Sequence, residues 1–345
     1  MNSSTPPPDH PTHPTMEPHE ESQHGSFIEA DEFRDPFDDG DSAIGELDRD
    51  STASIASSIF KSREENGRTY HAYKDGKYVL PNDERENDRQ DLQNHLCLLT
   101  FNQKLSFAPF TKVDRVLDVG TGTGIWAIDF ADEHPEAEVI GVDLSPHQPD
   151  FVPPNLSFQI DDLEEPWNFS RKFDYVHSMM MTGAFRDWPR FYEQAFENLE
   201  SGGWVEIQDI DFPIRCDDDT MPKSSYLYQW SEILLEASNT LGFKLDTCGK
   251  AKEMMSDVGF VDIIEVPFRW PMNRWPKQRK YKELGMWVQE NFTSGLEAMS
   301  LALLTRGLGW SKEQVEVFTA FVRKDMCDQN IHAYWPIYVV YGRKP

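Results

Sequence analysis

The segment Val116–Gly124 (VLDVGTGTG) places Gly120, Gly122 and Gly124 at alternate positions directly after a short apolar run. Glycines there let the chain turn sharply and let its backbone come close to a bound molecule, where any Cβ would collide. A helix starting after the turn aims its free N–H groups at the same place, which suits a carboxylate or phosphate. The dinucleotide fingerprint is G-x-G-x-x-G, and here Ile125 stands where its third glycine would be. Asp118, two residues before the first glycine, would repel a pyrophosphate but attract an ammonium, directly or through water.

Further carboxylates recur at expected strand ends. Asp143 closes Val139–Val142, where a carboxylate can accept both hydroxyls of a ribose. Asp161 and Asp162 close the next run, and a carboxylate there can accept from the amino group of adenine. Asp162 is the preferred member, with Leu163 beside it against the base. The expected frame is therefore Asp118, Gly120, Thr121, Gly122, Gly124, Asp143, Leu144, Asp162 and Leu163. It fits a nucleoside that carries an amino acid, S-adenosyl-L-methionine, better than NAD. Asp143 alone does not separate the two, so an NAD-dependent oxidoreductase stays as an alternative.

A proton acceptor matters if the methyl-receiving group must lose a proton. His177 is the first candidate, following an expected fourth strand at the edge where open α/β sheets bind ligands. An alternative role is a structural histidine bonded to a neighbouring loop. Asp209 and Asp211 are second choices, and Asp217–Asp219 read as solvated. Tyr70, His71, Tyr73 and Tyr78 form either a lid or an aromatic patch that holds an N-terminal arm. Trp270, Trp275, Trp287 and Trp310 either line an acceptor pocket or, as tryptophans in a cover more often do, pack; packing is the preferred reading. Lys277, Arg279, Lys280 and Lys282 read as a solvated helix start rather than a nuclear signal. The scattered Cys97, Cys216, Cys248 and Cys327 give no metal-binding spacing, so no metal is expected.

The elements that must position these residues alternate as in a parallel α/β sheet. Strands are expected at Val116–Val119, Glu138–Val142, Leu156–Ile160, Phe173–His177, Trp204–Gln208, Val261–Val266 and Tyr334–Tyr341, the last interrupted or edged by Pro336. Helices are expected at Ile125–His134, Phe191–Leu199 (closed by Ser201-Gly202-Gly203) and Lys250–Val258. Asp83 and Glu86 have capping-box spacing at the start of an earlier helix that carries Leu92, Leu96 and Leu99 on one face. Asp75-Gly76 is a hairpin-like signal. Segments 278–304 and 311–327 read as two helices within an insertion at 270–330, either a cover over the open sheet end or peripheral packing.

Residues 1–63 read as a disordered acidic tail: residues 1–65 carry 16 acidic against 4 basic residues. Residues 64–110 read as an N-terminal lid or arm, and 111–345 as the main domain. The net charge of -27 argues against direct nucleic-acid binding. No apolar run approaches a membrane span, and no basic stretch leads into an apolar one at the N-terminus. The chain is expected to be cytoplasmic or nuclear rather than secreted.

The series VLDVGTGTG, GVD, DDLEEPW and FDYVH resembles the class I S-adenosylmethionine-dependent methyltransferases. More narrowly, residues 64–93 (EENGRTYHAYKDGKYVLPNDERENDRQDLQ), 120–146 and the ending IHAYWPIYVVYGRKP resemble the LaeA-like methyltransferases of filamentous fungi. The resemblance implies a Rossmann-like, mostly parallel seven-stranded sheet with helices on both faces and a helical cover. It also implies a methyltransferase of secondary metabolism. That means either an enzyme acting on a small molecule or a nuclear regulator working through a velvet-type protein partner. One departure stands out: this chain reads His177-Ser178-Met179-Met180 where relatives commonly have HSRMM. The missing Arg puts in doubt any substrate-anion contact carried over from them.

Overall fold

The computed structural model describes residues 62–345, so the expected acidic tail lies almost wholly outside the described residues. A short hairpin comes first, β1 (Ser62–Glu65) and β2 (Arg68–His71), and then helix α1 (Glu84–Thr100). The hairpin turns at Asn66-Gly67, where both residues take positive φ, rather than at Asp75-Gly76, which sits in a later turn. Asparagine and glycine are the residues that tolerate that geometry. Asp83 caps α1 by accepting from the Glu86 N–H, and Arg68 Nε reaches its other oxygen at 2.5 Å. Glu86 does not complete the box, because its carboxylate is taken by Arg89.

Seven strands form the main sheet: β3 (Arg115–Val119), β4 (Glu138–Asp143), β5 (Leu156–Ile160), β6 (Phe173–Met179), β7 (Leu199–Ile210), β8 (Val261–Pro271) and β9 (Tyr334–Arg343). Their order is β5-β4-β3-β6-β7-β9-β8, with β9 antiparallel to both neighbours and the other pairs parallel. Strand β3 is buried at every residue, as expected of a parallel strand covered on both faces. Pro336 lies one residue beyond the last β7–β9 pair, so its missing N–H breaks no bond to β7. Ser201–Gly203 belong to the start of β7 rather than ending a helix, and the pairing with β6 shifts register there.

Helix α2 (Ile125–Glu133) covers one face, with Trp126 and Phe130 packed on Val116, Val139 and Tyr175. Helices α3 (Trp188–Asn198) and α5 (Ala251–Val258) cover the other, against Leu117, Val176 and Val205. Helix α3 begins three residues earlier than the apolar pattern suggests, because Asp187 caps it and Pro189 fits its first turn. The third cluster joins α1, α4 (Tyr226–Leu241), α6 (Arg279–Ala302) and α7 (Lys312–Cys327) to the ends of β8 and β9. Trp335 stacks on Phe292 there at 4.9 Å, and the Trp230 indole N–H donates to Ser300 Oγ at 2.9 Å. Helix α4 escapes the pattern reading altogether, although Ser225 caps its start and Gly242 its end. Together α1, α4 and α6 line the carboxyl edge of the sheet, while α7 packs behind α4 and α6.

Candidate functional site

A cavity of about 240 Å³ runs along that carboxyl edge, from the ends of β4 and β5 to the ends of β7 and β8. All of the expected cofactor frame except Gly124 lines it: Asp118, Gly120, Thr121, Gly122, Asp143, Leu144, Asp162 and Leu163. Gly124 lies behind the loop as the N-cap of α2, with φ 84°. A Cβ on it would meet the Phe158 ring at 2.4 Å. Gly120 also has positive φ, and a Cβ there would fall 2.0 Å from Met181 Sδ. Both positions require glycine for conformation and for space.

The loop is tied to the carboxylates around it. Asp143 Oδ2 accepts from the Gly122 N–H and its Oδ1 from the Ser145 N–H, each at 2.9 Å. Burial nevertheless pushes the Asp143 carboxyl up to about 6, against the lowering effect of those donors. Asp118 is 2% exposed and is held on both oxygens. His177 Nδ1 donates to Oδ1 at 2.8 Å, and Thr121 Oγ1 donates to Oδ2 at 2.6 Å. Asp162 Oδ1 accepts from the Glu164 N–H at 3.1 Å. Its Oδ2 lies 3.1 Å from Lys77 Nζ, which also pairs with Glu164.

His177 is brought to Asp118 but not to the cavity. Its ring is fully buried, stacked on Trp126 at 3.5 Å, and Nε2 has no partner. The placement follows from sheet register. Asp118, His177 and Glu206 are direct neighbours on β3, β6 and β7, all on the face covered by α2. Asp209 is buried and accepts from the Met181 and Ile210 N–H groups, with its carboxyl raised by burial to about 7. Asp211 is tied to Gly249 and Arg215. Neither lines the cavity, and Asp217 and Asp218 are occupied on the surface by Arg269, Tyr334 and His332. Of Tyr70, His71, Tyr73 and Tyr78, only Tyr78 lines the cavity, and Tyr70 is core beneath Arg306.

Sequence reasoning missed three groups of lining residues. The arm contributes Lys77, and α1 contributes Arg89, Gln93 and Asn94, two of them buried. Met179 ends β6 and Met180 and Met181 follow it, with Met180 at φ 54°. Trp270, already singled out in the sequence, lines the cavity near the end of β8. A helix with so few apolar residues that must still pack was the available signal for the α1 group. Among the described residues no group of three or more His, Cys, Asp or Glu could hold a metal, and no helix is long and apolar enough to cross a membrane.

The family model described as Methyltransferase domain matches residues 89–263. Methyltransferase pytC of Aspergillus terreus is 37% identical over 302 residues, covering 87% of this chain and 93% of that protein. The chain belongs to this methyltransferase family. Two further relatives are the secondary metabolism regulator LAE1 of Cochliobolus heterostrophus and the protein-methionine methyltransferase laeA of Emericella nidulans. The first is 38% identical over 81% of this chain and 94% of its own length, the second 35% over 82% and 76%. The chain is thus a class I S-adenosylmethionine-dependent methyltransferase of the LaeA-like group, and the oxidoreductase alternative falls away.

The residues present fit that cofactor. Gly120 and Gly122 leave the loop's backbone bare where it lines the cavity, and Asp162 Oδ2 is a buried oxygen without a well-aligned hydrogen bond. Asp143 retains lone pairs beyond the two it has committed to backbone.

Proposed function

We propose that this protein methylates a small-molecule acceptor of fungal secondary metabolism, acting in the cytoplasm or nucleus. The observation that carries this reading is the continuous cavity that joins the glycine loop and its carboxylates to an apolar, methionine-rich wall. The donor contributes an already activated methyl carbon, so the chain has mainly to align the acceptor and exclude water.

In this reading Asp143 accepts both ribose hydroxyls, and Asp162 accepts from the adenine amino group, with Leu144 and Leu163 flanking nucleoside and base. The backbone of Gly120–Gly122 lies along the methionine part, whose ammonium faces Asp118 directly or through water. His177 acts as a positioning residue, holding the Asp118 carboxylate that in turn holds Thr121. The Asp118–His177 bond and the stacking on Trp126 support that role over proton transfer to the acceptor. Roof helices α1 and α6 keep water from the reacting atoms.

A second reading is a nuclear regulator that works through a velvet-type protein partner. The relatives named as regulators favour it, as does an exposed apolar patch where Tyr226 stacks on Phe321 at 4.7 Å beside exposed Val317. The test is complementation of a deletion strain with Asp143→Ala, read by comparative metabolite mass spectrometry. The enzyme reading expects loss of a product one methyl heavier, and restoration by wild type only. Full restoration by Asp143→Ala would favour the regulator.

A further inference from the structure

Beyond the glycine loop the cavity changes character. Its walls there are the ends of β6–β8 and the inner faces of α1, α4 and α6, carrying Met179, Met180, Phe212, Trp270, Phe292 and Met299. The Trp270 indole N–H is consumed by Thr100 Oγ1 at 2.7 Å, so this wall offers a ring and no donor. Unbranched methionines adapt to flat or irregular apolar shapes.

The polar groups at this end form one neutral cluster. Arg89 gives Nε to both oxygens of Glu86 at 3.0 Å and Nη2 to Glu86 Oε1 at 2.7 Å. Its Nη1 donates to Gln93 and, at 3.1 Å, to Asn291 Oδ1. The charge is therefore cancelled inside the wall. Gly295 of α6 exists to make room for it, since a Cβ there would fall 2.4 Å from Arg89 Cδ. Beside this cluster Asn94 lines the cavity, 3% exposed, and its Oδ1 lacks a hydrogen-bond partner. A buried acceptor left unpaired is unfavourable, and a ligand donor would satisfy it. A charged ligand finds no uncommitted counter-ion at this end, and burying a charge without one is prohibitive. The carboxylates lining the other end belong to the cofactor frame.

We infer that this end is the acceptor chamber of the methyl transfer proposed above, on which the inference rests. It takes a flat, uncharged, largely apolar molecule that donates one hydroxyl or N–H to Asn94. The chamber prefers neutral over anionic acceptors because its one cation, Arg89, is already committed to Glu86.

The test uses the full chain labelled with 13C at its methionine methyl groups and titrated with 2-naphthol, 2-naphthoate, 2-naphthylmethylammonium and naphthalene. Each titration is run with and without S-adenosylhomocysteine. Met179→Leu and Met299→Leu assign the two signals. The expected result is that 2-naphthol shifts both methyl signals and binds about tenfold tighter than either charged probe. Asn94→Leu should weaken 2-naphthol about fivefold and leave naphthalene unchanged. Equal or tighter binding of a charged probe, absence of both shifts, or indifference to Asn94→Leu overturns the inference. Calorimetry with S-adenosylhomocysteine on the same samples reports on the cofactor frame separately. A failed chamber with intact cofactor binding leaves the methyltransferase reading standing.

Discussion

His177 Nδ1 and Asp118 Oδ1 lie 2.8 Å apart, with the His177 side chain fully buried and that of Asp118 4% exposed. They sit in register on β3 and β6, so the sheet itself holds the pair. Replacing His177 by Phe would keep the stacking surface on Trp126 but leave one oxygen of a buried carboxylate without its donor. We expect a loss of about 3 kcal/mol or more of stability, read as a lower midpoint in urea. S-adenosylhomocysteine affinity should fall with it, because Asp118 also holds Thr121 in the loop. If His177 were instead the acceptor's base, turnover would drop while stability and cofactor affinity stayed at wild-type values.

Asp143 gives cofactor binding a pH signature. Its ordinary value of 3.8 is raised by burial to about 6, so the folded chain binds this proton more tightly than the unfolded chain. Its contribution to folding stability is therefore greatest below pH about 4 and is lost as pH rises through about 6. Ligand binding has the opposite sense, because two ribose hydroxyls donate best to the carboxylate. S-adenosylhomocysteine affinity should be flat above pH about 7 and fall toward tenfold per pH unit below about 6. Calorimetry in buffers of different ionisation enthalpy should detect uptake of the released proton. Asp143→Asn should flatten this slope and weaken binding about 10- to 100-fold, the loss of about 1.5–3 kcal/mol of charge-assisted hydrogen bonding.

The roof depends on one close backbone approach. A Cβ on Gly285 of α6 would fall 2.0 Å from the carbonyl oxygen of Asn273, an atom that cannot rotate away. Gly285→Ala should cost about 1–3 kcal/mol by overpacking, seen as a lower thermal midpoint. Since Gly285 lies outside the cavity lining, the folded fraction should still bind S-adenosylhomocysteine with near wild-type affinity. Loss of cofactor affinity in proportion to the lost stability would mean that roof and cofactor frame are a single unit.

The glycine-loop end of the cavity was legible because its residues are brought together by local sequence. Strand, glycine turn and strand-end carboxylate are each written within a few residues, and eight of the nine expected residues line the cavity. His177 was legible as a sheet-edge residue but not in its direction. Which face it occupies depends on register with β3 and β7, set by residues 59 and 29 positions away (Asp118 and Glu206). The acceptor end was hidden for a related reason. Arg89 and Asn94 look like solvated residues of a polar helix until α6, some two hundred residues later, closes over them. Helix α4 was missed although Ser225 and Gly242 mark its ends, since its apolar positions serve the roof rather than the alternating sheet pattern.

Lys77 supplies the remaining prediction, because it competes for the oxygen that adenine would use. Its Nζ lies 3.1 Å from Asp162 Oδ2 and 3.1 Å from Glu164, so one ammonium serves two carboxylates. Burial of Asp162, at 4% exposure, makes its loss of a partner unfavourable in the free protein. With Lys77→Met that penalty falls on the free state, and the adenine amino group supplies the missing donor on binding. We therefore expect Lys77→Met to lower stability yet tighten S-adenosylhomocysteine binding, by about 1 kcal/mol or roughly fivefold. Adenine-lacking fragments such as S-ribosylhomocysteine should gain nothing. The wild-type affinity should also rise slightly with salt, which screens the competing ion pair, while that of the variant should not. Weaker binding in Lys77→Met would instead mean that the lysine touches the cofactor and that the arm helps to hold it. Measuring both ligands at two salt concentrations separates these outcomes.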